Sequence, residues 1–137
     1  LAILSGLVDK IETLVAQAEG EAQGQPAVLK ERFARRLAEL LGERADLEDR
    51  IVQEAAVMAN RADVREELDR LTSHVQAARA QFAADGPAGR RLDFLTQEFM
   101  REANTLCSKS ATTALTAIGL ELKATVDQFR EQVQNVE

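Results

Sequence analysis

Tryptophan and tyrosine are absent from this chain of 137 residues, which has only five phenylalanines. Four of them fall on the apolar stripes of predicted helices. Phe94 lies off those stripes and is predicted to pack on a second helix or another subunit rather than on a base. Platforms for base stacking are therefore not expected, and any nucleic acid would be held through backbone charge and shape. The four stripe positions are Phe33, Phe82, Phe99 and Phe129.

Cysteine and long apolar runs are also scarce. The single cysteine, Cys107, excludes a disulfide within the chain and fits a reducing compartment. No apolar run approaches the roughly 20 residues that cross a bilayer, so we expect no membrane span and a cytoplasmic location. The chain opens at Leu1 inside an apolar pattern without a methionine or a cap, which favours a piece of a longer protein.

Positive charge is in deficit, because 23 acidic side chains face 17 basic ones and the net charge is −6. On average such a chain repels a phosphate backbone. The distribution is uneven, since residues 1–85 carry a net −5 and residues 86–137 only −1. Residues 89–110 are net +1, so this segment could form a local cationic site on an acidic body.

Apolar residues recur at spacings of three and four along almost the whole chain, which predicts an all-α fold. The first helix is predicted from Ala2 to Glu19, with Pro26 opening the next. A near-heptad stripe then continues through Gly42, because one glycine costs only about 1 kcal/mol in a helix. Its members are Leu29, Phe33, Leu37, Leu40, Leu47, Ile51 and Met58.

The stripe changes phase near Asn60, where we favour a break over a continuous helix with a stammer, and Asp63 with Glu66 could cap the new helix. The new stripe contains Val64, Leu68, Leu71, Val75, Ala78 and Phe82. A tight reversal is predicted at Asp85, Gly86, Pro87 and Gly89.

Two further helices are predicted after this reversal, and Ser108 or Ser110 could cap the second. Narrow stripes on long helices favour an extended antiparallel helical hairpin or bundle, coiled-coil-like, over a compact globule. We expect a single domain over residues 1–137. The first helix has Leu92, Leu95, Phe99, Ala103 and Leu106 on one face, and the second has Leu115, Ile118, Leu122, Val126, Phe129, Val133 and Val136.

Three segments carry a family resemblance: GRRLDFLTQEFMREANTLCSKS at 89–110, FREQVQNVE at 129–137 and RADVREELDRLTSHV at 61–75. Together they resemble the carboxy-terminal part of the YicC-like (YloC-like) family of bacterial proteins, described as endoribonucleases. The chain departs from the family at Cys107, commonly glycine, and at Ala111 and Thr112, commonly an acidic or amide pair. The resemblance covers about the last 75 residues. It implies a missing amino-terminal domain, RNA as substrate and a homo-oligomer, a hexamer in particular.

Glu98 and Glu102 are four residues apart on one flank of the predicted helix. Two carboxylates on one face could bind Mg²⁺ or Mn²⁺, which could activate water for phosphodiester cleavage. Alternatively, both are ordinary surface partners of Arg90, Arg91 or Arg101.

His74 is the only histidine and shares a helix side with Glu67 and Arg70. A histidine can act as general base toward a 2′-hydroxyl near neutral pH. The alternative is a surface histidine bonded to a neighbouring carboxylate.

Five side chains are predicted to contact phosphate or sugar, unless they serve in caps and ion pairs within the bundle. They are Arg90, Arg91, Arg101, Asn104 and Lys109.

The closing helix carries Lys123, Asp127 and Arg130 among amides, which favours a subunit interface. Cys107 is not favoured as a nucleophile.

Two functions stay open. One is the carboxy-terminal domain of an endoribonuclease that cleaves single-stranded or structured RNA by metal-assisted hydrolysis, with Glu98, Glu102 and His74 as catalytic residues. The other is a helical module that assembles an oligomer or positions RNA, with the catalytic groups elsewhere.

Overall fold

The computed structural model describes residues 2–41, 50, 51, 53, 63–84 and 89–135. These residues contain helices and no strand, so the all-α prediction is confirmed. Five helices have defined bounds: α1 (Ala2–Ala22), α2 (Gln25–Leu41), α3 (Arg65–Ala83), α4 (Gly89–Lys109) and α5 (Thr113–Gln134). No helix in the described part is long and apolar enough to cross a membrane.

Four of the helices close into a bundle. Helices α1 and α4 each pack against both α3 and α5. Each apolar stripe therefore faces two neighbours, and full burial of one leucine contributes about 1.5–3 kcal/mol. All five residues predicted for the core face of α4 are buried, as are Leu115, Leu122, Val126, Phe129 and Val133 on α5 and Leu4, Val8, Ile11 and Ala18 on α1.

Helix α2 has fewer contacts with this bundle over its described residues. Its first residue, Gln25, is buried, and the Gln25 Oε1 atom accepts a hydrogen bond from the Ala111 amide at 2.8 Å. Phe33 was predicted on a core stripe but is half-buried outside the bundle core. The predicted continuation through Gly42, the stripe positions Leu47 and Met58, the side chains of Leu37 and Leu40 and the break near Asn60 lie outside the described residues.

Helix α1 extends to Ala22, beyond the predicted end at Glu19. Ala18 is buried and Ala22 packs partly against the core, so tertiary contacts continue through the exposed Gly20. A glycine there costs only helix propensity, about 1 kcal/mol. Helix α2 begins at Gln25 with Pro26 in its first turn, as predicted.

The predicted capping pair of Asp63 with Glu66 is wrong, because the N-cap of α3 is Val64, which makes no side-chain cap hydrogen bond. The Asp63 Oδ1 atom accepts a hydrogen bond from the Arg65 amide at 2.9 Å. Glu66 pairs instead with Arg70, one turn along the same helix. The predicted reversal at residues 85–88 lies outside the described residues, and α4 begins at Gly89.

The cap of α5 was predicted wrongly. Thr112 is the N-cap, and its Oγ1 atom accepts a hydrogen bond from the Leu115 amide at 3.1 Å. The Ser108 and Ser110 hydroxyls donate to carbonyl oxygens in the last turns of α4. Helix α4 therefore continues through Cys107 to Lys109, where the sequence pattern lapses.

Helices α4 and α5 approach closely where Gly119 faces Cys107. A Cβ atom placed on Gly119 would lie 2.6 Å from the Cys107 Sγ atom. Contacts of that length do not occur between unstrained atoms, so one side chain has to move. The absence of a side chain at Gly119 thus permits a cysteine at this position of α4.

Gly119→Ala is expected to lower the free energy of unfolding by about 1 kcal/mol, because overpacking outweighs the gain in helix propensity. In a Cys107→Ala background the same change is expected to raise it by about 0.5–1 kcal/mol, since no Sγ atom obstructs the new methyl group. Urea unfolding of the four proteins measures both effects. Equal effects in the two backgrounds would contradict this account.

Candidate metal site between two helices

A row of polar side chains follows the seam between α3 and α4. Lys109 pairs with Glu67 near one end, and His74 approaches Glu98 further along. These pairs show that the two helices are antiparallel, as expected for neighbours in a bundle. We call this row the seam cluster; it consists of Glu67, Arg70 and His74 on α3 and Glu98, Glu102 and Lys109 on α4.

Three of these residues converge on one point. One potential ligand atom from each of His74, Glu98 and Glu102 lies within 4.8 Å of the other two. The His74 Nε2 atom is 3.9 Å from the Glu98 Oε2 atom. Glu102 is only 2% exposed, whereas the other two are partly accessible. The structure therefore brings together all three residues predicted as catalytic.

The His74 imidazole is held by aromatic packing. Its ring meets the Phe99 ring edge-on at a centroid distance of 5.9 Å, and Phe99 packs in the same way on Phe129 at 5.8 Å. The His74 Nε2 atom is buried and has no hydrogen-bond partner among the described residues. A buried polar atom without a partner is costly. A cation at the point of convergence would satisfy this nitrogen.

The partners of the two glutamates differ from those considered from the sequence. The Arg70 Nη1 atom lies 3.5 Å from the Glu102 Oε1 atom, and Glu98 approaches His74. Within the described residues, no ion pair joins either glutamate to Arg90, Arg91 or Arg101. Surface pairing of these glutamates within α4 is therefore wrong, because the side chains that approach the two carboxylates come from α3.

Lys109 is engaged at the end of the seam cluster. Its Nζ atom lies 2.8 Å from the Glu67 Oε1 atom, and Glu67 is buried. The Glu67 Oε2 atom has no hydrogen-bond partner among the described residues. Lys109 thus has a role within the bundle, and its contact with RNA stays a prediction.

The other predicted RNA contacts lie on the outer surface of α4. Arg101 and Asn104 line a groove between α4 and α5, together with Arg130. Arg90 and Arg91 line a second groove beside Phe94, which is 60% exposed. The off-stripe position of Phe94 is confirmed. The three arginines of α4 are exposed on the helix that also carries Glu98 and Glu102.

The donor set fits a divalent cation. With bonds of about 2.1 Å, donors around an octahedral ion lie about 3 Å apart in adjacent positions and about 4.2 Å apart in opposite ones. The three donor atoms of the site already lie within 4.8 Å of one another, so only small side-chain shifts would let all three bind one ion. One imidazole and two carboxylates form a common metal-binding combination.

The comparisons with known proteins agree with the quoted segments. The family described as "Endoribonuclease YicC-like, C-terminal" matches residues 18–137. The chain belongs to the YicC-like family. It is 39% identical to the "Probable endoribonuclease YicC" of Haemophilus influenzae over 129 residues, and 37% identical over 109 residues to the protein of that name from Clostridioides difficile.

The YicC-like chain spans less than half the length of these relatives. The match to the Haemophilus influenzae protein covers 93% of this chain and 45% of the relative. The match to the Clostridioides difficile protein covers 79% and 37%. The similarity therefore concerns a carboxy-terminal family region, and the seam cluster lies inside residues 18–137.

Cys107 is not a member of the seam cluster. Burial raises the pKa of its thiol, and the nearby charge of Lys123 opposes that shift only in part. A thiol with a raised pKa is largely protonated near neutral pH, and the thiolate is the nucleophilic form. This supports the interpretation that Cys107 is not a nucleophile.

Lys109→Met is expected to lower the free energy of unfolding by about 2–4 kcal/mol, because it leaves the buried Glu67 carboxylate without its cation. Lys10→Met, at an exposed position of α1, is the control and is expected to change it by less than about 0.5 kcal/mol. Urea unfolding measures both. Adding Glu67→Gln to Lys109→Met should recover part of the loss, and a double variant no more stable than Lys109→Met would contradict the pairing.

Proposed function

We propose that this chain is the helical part of an endoribonuclease and that it binds a divalent cation at His74, Glu98 and Glu102 for hydrolysis of RNA. The observation that carries the proposal is the convergence of these three side chains within 4.8 Å across α3 and α4. The printed names of the relatives support the reaction class. The cation and its ligands rest on the geometry.

The mixed donor set favours Mn²⁺ over Mg²⁺. Mg²⁺ prefers oxygen ligands and keeps much of its water, whereas an imidazole nitrogen suits later divalent ions. Mn²⁺ accepts both carboxylates and imidazole. We therefore expect the site to bind Mn²⁺ more tightly than Mg²⁺.

The bound cation would lower the pKa of a water molecule and stabilise negative charge on the phosphate. The residues of the chain supply the rest. Glu98 and Glu102 provide negative charge, and the packing of His74 on Phe99 fixes the direction of its ring. Arg90, Arg91 and Arg101 are exposed on α4 and would contact phosphates on either side of the site.

The net charge of −6 repels phosphate on average, so RNA binding depends on the local charge at the cluster. A cation at the cluster would offset the two glutamates and leave the neighbouring arginines as the local excess charge. Of the five phenylalanines, Phe94 is the one that is largely exposed, so few aromatic rings are available to stack on bases. Recognition would therefore rest on the backbone and shape of single-stranded or structured RNA. A cytoplasmic location fits this substrate and stays a prediction.

His74 has a second possible role. If no cation binds, its Nε2 atom is a candidate general base toward a 2′-hydroxyl group. The two mechanisms differ in their response to a chelator, because base catalysis by a histidine does not require a divalent ion. Cleavage that resists a chelator but is lost in His74→Ala would favour the general base.

A structural role is the second candidate function. Three large apolar side chains, Ile3, Phe94 and Leu120, are more than half exposed on the bundle. Such side chains suit contacts with other subunits, and the family resemblance implies a homo-oligomer, a hexamer in particular. Under this alternative the chain assembles an oligomer or positions RNA, and catalytic groups lie elsewhere.

Glu98→Gln and Glu102→Gln are each expected to weaken Mn²⁺ binding by at least about tenfold, because even the outer partners of metal ligands are worth about 10–100-fold in affinity. Isothermal titration calorimetry on this chain measures the affinity. Cleavage of a labelled structured RNA is expected to fall in parallel, and is measured with this chain and with the full-length gene product, each with Mn²⁺ and with chelator.

Asp93→Asn is the matched control, since Asp93 is an exposed carboxylate of the same helix outside the cluster. It should leave Mn²⁺ binding and cleavage unchanged. Unchanged cleavage in both glutamate variants would sink the metal-assisted mechanism. Lost cleavage with an intact oligomer would sink the purely structural alternative.

A further inference from the structure

Arg70 stands between two carboxylates of very different exposure. Its guanidinium contacts Glu66, one turn earlier on α3, and lies 3.5 Å from the Glu102 Oε1 atom across the seam. The Glu66 side chain is 67% exposed and that of Glu102 only 2%. One guanidinium therefore links a solvated acid to a buried one.

The buried acid needs a positive charge. An ionised carboxylate removed from water is costly unless a cation or hydrogen-bond donors compensate it. Arg70 is the cation that the structure places closest to Glu102 among the described residues. It is partly exposed, so it can move outward without breaking the packing of α3.

We infer that Arg70 is a displaceable counter-ion, which neutralises Glu102 in the metal-free protein and yields that carboxylate to a divalent cation. This inference rests on the proposed metal site. A divalent cation beside Glu102 repels a guanidinium, and both cannot use the same oxygen. The contact with Glu66 gives the released Arg70 a second partner at the surface.

The released guanidinium lies at the rim of the site. Arginine binds phosphate oxygens through two parallel hydrogen bonds, which suits the backbone of an RNA strand. Arg70 is thus a positioning residue that exchanges a carboxylate of the site for a phosphate of the substrate.

Arg70→Gln is expected to bind Mn²⁺ about tenfold more tightly than the unaltered chain, because the variant lacks the competing charge. Arg70→Lys keeps the charge and is expected to stay within about threefold. Arg65→Gln removes the same charge from an exposed position of α3 and should change the affinity by less than about threefold. Isothermal titration calorimetry with Mn²⁺ measures all three, and circular dichroism confirms that each variant is helical.

A purely structural role for Arg70 gives the opposite sign, since loss of the contact would disorder Glu102 and weaken binding. Affinity for Mn²⁺ that is unchanged or weaker in Arg70→Gln, while Glu102→Gln weakens binding by at least about tenfold, overturns the counter-ion and leaves the metal site standing. Affinity for Mn²⁺ that is unchanged in Glu102→Gln overturns both. Tighter binding in Arg65→Gln by the same factor as in Arg70→Gln overturns the specific role of Arg70.

Discussion

The antiparallel packing of α3 on α4 is the constraint on which the site depends. Apolar stripes on both helices bury the core side of the seam, and this fixes the register in which the polar flanks meet. Glu102 and Glu67 are buried as a consequence, so each requires a cation from the opposite helix. The same packing that stabilises the bundle therefore concentrates charge at one place.

Helix content and most of the core faces of α3, α4 and α5 could be predicted from the sequence, because spacings of three and four report the side that is buried. The ends of the helices were less predictable from the sequence. Helix α1 continues past Gly20 through tertiary contacts, and Thr112 rather than a serine caps α5. These choices depend on which backbone groups meet in space, and a single sequence does not contain that information.

The candidate site was predictable in its residues but not in its pairing. Glu98 and Glu102 share a helix flank, and His74 was identified from its side chain alone. Their convergence required the register of two helices, which also brought in Arg70 as a partner of Glu102. Lys109 shows the converse, since a residue predicted at the substrate is engaged with Glu67 inside the bundle.

The hydrogen bond from the Ala111 amide to Gln25 joins the start of α2 to the junction between α4 and α5. That junction lies two residues after Lys109, at the end of the seam cluster. Over its described residues, helix α2 has few other contacts with the bundle. In the described part of the structure, a buried side-chain amide thus couples the first turn of α2 to the end of the seam cluster.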